Sequence, residues 1–476
     1  MFKHWREECG VVGIYGHPEA SNLAYLSLYA LQHRGQESAG IVSADGKRMY
    51  SHREMGLVQD VFTEDILNKL PGHLAIGHVR YSTTGSSLLK NAQPFAMETH
   101  RHRLALAHNG NIVNAGQLRE QLEESGAIFQ SSSDTEVVAH LIAASHSDDL
   151  LEKISLALKQ LAGSFSLVFL NENKLVAARD PWGFRPLVLG RFKDRDGFMV
   201  ASETCALDLV QAVYLREVEP GEVIIIDQNG PSSHHPLPAR ERKSCIFEHI
   251  YFARPDSLVF GQSVYNSRIR LGEQLAREQP ANADMVVAVP DSGRIAAYGY
   301  SRQSGIPLEE GLIRNHYVGR TFIEPMHSIR HFGVKVKLNA VQSVLKGKRV
   351  VVVDDSIVRG TTCRKIITMI RELGLAREVH MRVSSPPTAF SCFYGIDTPT
   401  NQELVYNAEQ KSIEAIRNFI NADSLGYISI PGLHKAVNQN GGGFCDACFS
   451  GDYPVPFPES IREKQMELFL MEVAKK

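Results

Sequence analysis

The chain has 476 residues, and its 51 Lys and Arg side chains nearly balance its 53 Asp and Glu side chains. This balance gives no electrostatic reason to expect a nucleic acid or a membrane surface as a partner. No apolar run approaches the roughly 20 residues that a membrane span needs. The length predicts two or three domains, each with its own core. The seven cysteines are too sparse for a disulfide framework, which favours a cytoplasmic location.

Cys9 opens the first strand-like segment, CGVVGIYG, directly after the charged leader MFKHWREE. A cysteine at the head of a strand is commonly just a small buried apolar residue. Here Gly10 leaves room for a ligand beside the thiol. Cleavage after Glu8 would also give Cys9 a free α-amino group, with a pKa of about 7.7–8.0. Such an amine can act as the base for its own thiol. We therefore expect residues 1–8 to be removed and Cys9 to be a nucleophile.

Polar segments then follow the ends of apolar strands, namely QHRGQESAG at 32–40, GHVRYSTTG at 77–85, AHNGNIVN at 107–114 and SSSDTE at 131–136. Each alone is consistent with a turn, because Asn-Gly is a common hairpin signal. In this order, and with DPWGFRPL at 180–187, they resemble the class II glutamine amidotransferases over roughly residues 9–235. The resemblance implies an α+β N-terminal-nucleophile domain with αββα layers.

The same resemblance implies how glutamine would be hydrolysed. Cys9 would attack the side-chain amide of glutamine. The side-chain amide of Asn109 and the backbone N–H of Gly35 would form the oxyanion hole, in which one donor is typically worth about 3 kcal/mol.

The resemblance also implies how glutamine would be held. Arg80 would pair with its α-carboxylate, because a fork-shaped donor suits a planar acid. Asp134, helped by the Gly110 backbone, would hold the α-ammonium group. Arg34 is interpreted as structural or as a support for the residues that contact glutamine. The neighbouring histidines are interpreted as packed core or turn residues, because no metal-ligand spacing joins them; they are His33, His78 and His108.

The run GEVIIIDQNG at 221–230 predicts a hairpin at the end of the first half, and the polar, Pro-containing stretch 232–244 predicts the linker. An amphipathic helix is expected over Asn266–Arg277. The stretch ADMVVAVPDSGRIAAYGY at 283–300 predicts a strand, a turn and a helix. Its PDSG alone indicates a simple turn, but Ser292 within it is a candidate Mg²⁺ ligand.

The stretch RVVVVDDSIVRGTT, at 349–362, predicts a strand buried on both faces, as parallel strands are. A strand that ends in carboxylates, followed by small hydroxyl residues and a helix N-terminus, suits a phosphorylated ligand. The run resembles the phosphoribosyl pyrophosphate (PRPP) loop of type I phosphoribosyltransferases. The resemblance implies that Asp354 and Asp355 bind ribose hydroxyls and Mg²⁺. The residues expected to cradle the 5′-phosphate are Ser356, Arg359, Gly360, Thr361 and Thr362.

A basic, Gly-containing insertion separates the two strands of this half, with LIRNHYVGRTFIEP at 312–325 and SIRHFGVKVKLNAV at 328–341. A solvated loop would explain its charge without any ligand. Such insertions often act as lids in α/β domains. By resemblance, this one would close over PRPP and contact it through Arg320, Lys335 and Lys337.

The motif EHIYFARPDSLVFG, at 248–261, narrows the resemblance to the glutamine PRPP amidotransferase family. The implied reaction converts glutamine, PRPP and water to 5-phosphoribosylamine, glutamate and pyrophosphate, which opens purine synthesis. The implied domains are a glutamine amidotransferase at 9–238 and an α/β type I phosphoribosyltransferase at 239–459, with a C-terminal helix at 460–476. Family resemblance also implies a homotetramer that purine nucleotides inhibit.

Cys445 and Cys448 form a CxxC pair, and Cys245 and Cys392 stand apart from it in the sequence. Four soft ligands suffice for tetrahedral zinc or for a [4Fe–4S] cluster, and spacing does not separate these two. The similarity to the iron–sulfur, leader-processed branch of the family implies a [4Fe–4S] cluster with a structural role. The remaining cysteines, Cys205 and Cys363, are interpreted as packed helix residues.

Three other functions are compatible with parts of the sequence. The chain could be an ammonia-dependent phosphoribosyltransferase with an inactive glutaminase domain, although Cys9, Arg80, Asn109 and Asp134 are all present. It could be a metal-cluster sensor that kept both folds. It could also be an N-terminal-nucleophile peptidase that cleaves more than its own leader.

Overall fold

The computed structural model describes residues 9–81, 88–98, 103–315, 338–438, 441 and 443–456. Three predictions therefore lie outside the described residues: the leader at 1–8, the helix at 460–476, and the lid contacts Arg320, Lys335 and Lys337. Within the described ranges, no helix is both long and apolar enough to cross a membrane.

The first domain is built on two antiparallel sheets. The first sheet has seven strands in the order β11-β9-β10-β1-β4-β2-β3, and the second has six in the order β13-β12-β8-β7-β6-β5. The strands are β1 Gly10–Tyr15, β2 Ser38–Ala44, β3 Met49–Met55, β4 Leu74–Arg80, β5 Phe95–Glu98, β6 Arg103–Ile112, β7 Gly163–Leu170, β8 Leu175–Arg179, β9 Val188–Arg191, β10 Phe198–Ala201, β11 Val213–Glu217, β12 Val223–Asp227 and β13 Gly230–His234.

Helices cover the outer face of each sheet. Those of this domain are α1 Ala20–Ala30, α2 Val58–Val61, α3 Glu64–Leu67, α4 Ala115–Glu124, α5 Asp134–Ala144, α6 Leu150–Leu158 and α7 Thr204–Leu209, with a 3₁₀ turn at Leu89–Asn91. One apolar core lies between the two sheets, a second joins the first sheet to α1 and α7, and a third joins the second sheet to α4–α6. These are the predicted αββα layers.

The predicted hairpin at the end of the first half is β12 paired with β13. This hairpin extends to His234, so the first residues of the predicted linker at 232–244 belong to the sheet. The reason is that strand β12 is apolar and buried, and its partner strand completes its backbone hydrogen bonds. A π-helix at Glu248–Phe252 follows the linker.

The second domain has a four-stranded, fully parallel sheet in the order β17-β20-β21-β22. The second-domain strands are β14 Ser244–Cys245, β15 Leu258–Val259, β16 Gln262–Ser263, β17 Met285–Ala288, β18 Leu312–Arg314, β19 Leu338–Ala340, β20 Arg349–Asp354, β21 Glu378–Val383, β22 Ser424–Tyr427 and β23 Phe444–Cys445. Its helices are α8 Val264–Glu278, α9 Arg294–Ser304, α10 Gln342–Leu345, α11 Thr361–Glu372, α12 Val405–Ala408, α13 Ile413–Ile420, α14 Ile430–Val437 and α15 Ala447–Ser450, with a 3₁₀ turn at Asn401–Glu403.

The four-valine run forms central strand β20, and Val350–Val353 are fully buried, as predicted. Val351 and Val353 belong to the core that contains α8, α9 and α14. Val350 and Val352 face the core that contains α11 and α13. Alternate residues of one strand therefore supply both cores, which is why the sequence is continuously apolar here.

The end of the described chain returns to the junction between the domains. Strand β23 pairs in parallel with β14, which opposes Cys445 to Cys245. A small apolar core joins both domains, and the rings of Phe184 and Tyr394 stack within it at 4.5 Å. The junction is therefore a packed interface and not an open linker.

Candidate active sites

The Cys9 thiol lies directly before β1 and is buried. Its Sγ contacts the carbonyl oxygen of Tyr81 at 3.5 Å. Burial raises the pKa of Cys9 to about 11, and the nearby charge of Arg80 opposes this rise. A thiol with this pKa is protonated at neutral pH, so it needs a base before it can attack a substrate.

Asn109 lies in β6, and its side chain is fully buried. Neither its Nδ2 nor its Oδ1 has a hydrogen-bond partner within the described part of the chain. Its neighbour Gly110 adopts φ +148°, and a Cβ there would overlap the carbonyl oxygen of Ser164 in β7. Only glycine fits this position. The strand thus holds an unsatisfied amide donor in a fixed place, as an oxyanion hole requires.

Gly35, the second predicted oxyanion donor, follows α1 and packs against β4. A Cβ on Gly35 would lie 2.6 Å from the backbone carbon of Val79, so a larger residue does not fit. Its N–H donates to the Gln32 carbonyl oxygen at 3.3 Å. If the Gly35 N–H donates to the substrate oxyanion, it must give up this long hydrogen bond to Gln32.

Arg80 and Asp134 both lie close enough to the Cys9 thiol for their charges to affect its pKa. Arg80 is buried at the end of β4, and its Nη1 lies 3.8 Å from an oxygen of Glu37. The carboxylate of Asp134, at the start of α5, accepts from the backbone N–H of Ile112 at 2.9 Å. A cation and an anion thus flank the nucleophile, as the two charged ends of an amino acid require.

His108 is a site neighbour that the sequence interpretation treated only as a packing residue. Its Nδ1 lies 3.6 Å from Asp134. Burial alone raises the pKa of the Asp134 carboxyl, but His108 and the Ile112 N–H outweigh it and hold that pKa below its usual value. His78 donates through its Nε2–H to the backbone carbonyl oxygen of His108, at 3.0 Å. The sequence signal for these contacts is a histidine directly before Asn109.

The second candidate site lies at the carboxyl end of β20. The side chains of Asp354 and Asp355 are largely buried, and the Ser292 hydroxyl donates to Asp354 Oδ1 at 3.3 Å. Ser356 donates to Asp355. Burial, followed by the charge of Asp355, raises the pKa of Asp354. Ser292 and the two aspartates therefore lie together, and their oxygen atoms are ligands of the kind that Mg²⁺ prefers.

The loop after these aspartates leads into α11. Gly360 caps this helix with φ +72°, and Thr361 and Thr362 form its first turn. The helix N-terminus thus presents backbone N–H groups where the phosphate is predicted. The Arg359 Nη2 donates to Glu403 at 2.9 Å, so this side chain already has a carboxylate partner. The predicted Arg359 contact with phosphate would have to compete with that ion pair.

The four cysteines predicted to bind a cluster converge at the domain junction. Cys245 opposes Cys445 in the β14–β23 pair, and each of the other three thiols acts electrostatically on Cys448. All four are free thiols. The backbone N–H of Tyr394 donates to the sulfur of Cys392 at 3.3 Å.

This thiol set fits an iron–sulfur cluster. Burial raises the pKa of Cys245 to about 11 and that of Cys448 well above its usual value. Metal binding would stabilise the thiolates that burial disfavours. In the described ranges, no three His, Cys, Asp or Glu side chains come close enough to hold one ion. Cys245, Cys392, Cys445 and Cys448 would be the thiolate ligands of a [4Fe–4S] cluster, which is held by four cysteines.

Comparison with known proteins identifies both domains. Residues 78–209 match a family model described as a glutamine amidotransferase domain, and residues 261–385 match one described as a phosphoribosyl transferase domain. A chloroplastic amidophosphoribosyltransferase 1 of Arabidopsis thaliana is 56% identical over 461 residues, which are 97% of this chain and 81% of that protein. An amidophosphoribosyltransferase of Bacillus subtilis is 50% identical over 95% of each chain.

This chain belongs to the amidophosphoribosyltransferase family.

Solved structures of the family share the whole architecture. The B. subtilis glutamine PRPP amidotransferase complexed with ADP and GMP is 50% identical, with a TM-score of 0.89 over 95% of this chain and 98% of that one. A structure described as the allosteric regulatory enzyme of purine biosynthesis gives a TM-score of 0.90 at 50% identity, over 95% of this chain and 97% of that one. These likenesses confirm the predicted order of an amidotransferase domain and a phosphoribosyltransferase domain.

Proposed function

We propose that Cys9 hydrolyses glutamine and that the Asn109 side chain is the principal oxyanion donor. The observation that carries this proposal is the buried Asn109 amide, which lacks a hydrogen-bond partner among the described residues. Leaving such a group unsatisfied costs roughly 1–3 kcal/mol. A developing oxyanion on the substrate would accept from Nδ2, so the interaction would be strongest in the transition state.

The proposed chemistry follows from the groups around the thiol. The Cys9 sulfur attacks the side-chain amide carbon of glutamine, and its proton passes to the leaving nitrogen, which departs as ammonia. Arg80 pairs with the α-carboxylate, and Asp134 with the Gly110 backbone holds the α-ammonium group. Water then cleaves the thioester, which releases glutamate and restores the thiol. The α-amine freed by the predicted cleavage after Glu8 would serve as the base.

The family gives the overall reaction. The ammonia replaces pyrophosphate at C1 of PRPP and yields 5-phosphoribosylamine, in the first step of purine nucleotide synthesis. The ammonia must be kept from bulk water on its way from the first site to the second, because ammonia that escapes is protonated and lost. We propose that the insertion closes over PRPP and that its contacts are Arg320, Lys335 and Lys337, which lie outside the described residues.

We propose that the carboxyl end of β20 holds PRPP. Asp354 and Asp355 would bind the ribose hydroxyls, and the α11 N-terminus would hold the 5′-phosphate through its N–H groups. Both aspartates and Ser292 would bind Mg²⁺. Bound Mg²⁺ would neutralise charge on the departing pyrophosphate.

We further propose that Cys245, Cys392, Cys445 and Cys448 hold a [4Fe–4S] cluster with a structural role. Its support is the convergence of four free thiols from three separate segments on the domain junction. The cluster, when bound, would cross-link these segments without taking part in the transfer reaction. We also propose a cytoplasmic location, which the seven free thiols support.

Regulation by purine nucleotides is a proposal that rests on a relative. The B. subtilis protein was solved with ADP and GMP. We propose that purine nucleotides inhibit this chain and that it assembles as a homotetramer. Titration of pyrophosphate release with ADP and GMP tests the first proposal, and sedimentation equilibrium of the anaerobic protein tests the second.

Substitution of Asn109 tests the assignment of the glutamine site. Asn109→Ala should lower glutamine-dependent pyrophosphate release by about 100- to 1,000-fold, the usual cost of removing one oxyanion donor. It should leave ammonia-dependent release near the parent value. Equal loss with both nitrogen donors, or no loss with glutamine, would contradict the proposed role.

A further inference from the structure

A turn of the second domain, residues 392–395, lies against the strand that carries the oxyanion donor. The Asn111 Nδ2 donates to the Phe393 carbonyl oxygen at 2.8 Å. A Cβ on Gly395 would lie 3.1 Å from both the Cα and the carbonyl carbon of Gly110. The contact therefore reaches both residues that follow Asn109 in β6.

Gly110 also packs closely against the neighbouring strand, since a Cβ there would overlap the backbone of Ser164 in β7. Gly395 has φ +106°, a conformation that a residue with a side chain rarely adopts. The backbone of Gly110 is thus held between β7 and Gly395, and both glycines are needed for the close approach.

The 392–395 turn is itself fixed to the first domain. The Tyr394 carbonyl oxygen accepts from Nε and Nη2 of Arg185 at 3.0 and 2.6 Å. The Tyr394 ring stacks on Phe184, and its hydroxyl donates to the Val455 carbonyl oxygen at 2.8 Å. Because the turn is held at these points, its position can determine the position of β6.

We propose that Gly395 and Asn111 are positioning residues for glutamine hydrolysis. They hold Asn109 and Gly110 at the distance from Cys9 that the oxyanion hole requires, and the second domain thereby completes the glutamine site. This inference rests on the proposed role of Asn109. Glutamine hydrolysis would then depend on the 392–395 turn of the second domain, and this dependence would be separate from the binding of PRPP.

Gly395→Ala is the direct test. The added methyl group meets backbone on Gly110, so it should displace the oxyanion strand. A misplacement near 1 Å can cost about 100-fold, and we expect kcat/KM for glutamine to fall by about 10- to 100-fold. Ammonia-dependent pyrophosphate release should stay within about twofold, because this half-reaction does not use the oxyanion hole.

Gly126→Ala is the matched control. Gly126 is in the first domain and also has a positive φ, at +92°, but a Cβ there meets no atom within 4 Å. It carries the same backbone strain without pressure on the glutamine site. Both activities of this variant should match the parent.

Asn111→Ala is a second variant that adds no bulk, and it is decisive if Gly395→Ala does not fold. It removes the donor to Phe393, and it should lower glutamine-dependent release while sparing ammonia-dependent release. A parallel fall of both activities, or no change in either, would overturn the positioning role. A parent protein that is inactive with glutamine but active with ammonia would instead overturn the proposed glutaminase function.

Discussion

Arg34 in the first domain and Glu248 in the second form a two-point ion pair, with Nη1–Oε2 and Nη2–Oε1 distances of 3.0 and 2.6 Å. Both side chains are buried. The Nε of the same guanidinium donates to the Cys9 carbonyl oxygen at 3.3 Å. Glu203 also accepts from Arg34. One arginine therefore links the backbone of the nucleophile to the junction with the second domain.

Breaking this pair should destabilise the protein. Glu248→Gln leaves the Arg34 charge with less compensation in a buried site, and loss of one partner from such a pair typically costs about 3–5 kcal/mol. We expect a clear fall in the midpoint of thermal unfolding. Glu310→Gln is the control, because its pair with Arg294 is exposed and exposed pairs contribute about 0–1 kcal/mol. Equal midpoints for the two variants would show that the Arg34–Glu248 pair adds little stability.

The reactivity of Cys9 should depend on pH and on removal of the leader. Burial raises the pKa of this thiol to about 11, so the protonated form dominates below that pH. With residues 1–8 retained, alkylation of Cys9 by iodoacetamide should be slow at pH 7 and rise about tenfold per pH unit, because the thiolate is the nucleophile.

Protein that begins at Cys9 should react faster near neutral pH, because the α-amine then acts as a base. Peptide mass spectrometry would follow alkylation of Cys9 in both forms, with the buried Cys205 as an internal reference. Identical pH profiles for the two forms would argue against a role for the amine.

Asp355→Asn should abolish transfer with either nitrogen donor. The transfer to PRPP needs the same carboxylates whether the ammonia comes from glutamine or from solution. We expect a loss of at least about 100-fold in pyrophosphate release with glutamine and with ammonia, since Mg²⁺ and ribose contacts are both weakened. Asp284→Asn is the control, because Asp284 pairs with Arg349 at the opposite end of β20. A variant of Asp355 that keeps ammonia-dependent activity would contradict this site.

The four-cysteine site should contain iron and sulfide. Anaerobically purified protein should be brown, with about four irons per chain for a [4Fe–4S] cluster. Cys392→Ser should lose most of this iron, whereas Cys363→Ser should retain it, because Cys363 lies in α11 and packs in the core of the second domain. Colourless, active protein with one zinc per chain would contradict the iron–sulfur proposal.

Local patterns in the sequence were enough to predict the main elements. Four consecutive valines indicated that β20 is a central parallel strand, which the sheet order confirms. The roles of the residues in both candidate sites came from the family resemblance and stay predictions. The contacts between distant segments were not predictable. The Asn111–Phe393 and Arg34–Glu248 contacts depend on how two domains dock, and no periodicity encodes that. The Arg359–Glu403 pair likewise depends on tertiary packing.

The most direct test measures pyrophosphate release from PRPP and Mg²⁺, with glutamine and separately with ammonium chloride, on anaerobically purified parent and Cys9→Ala proteins. The account predicts that the parent uses both donors. It predicts that Cys9→Ala loses release with glutamine and keeps release with ammonia, because only the first site contains the thiol. Full glutamine-dependent activity in Cys9→Ala, or no release from the parent with either donor, would contradict the account of two coupled sites.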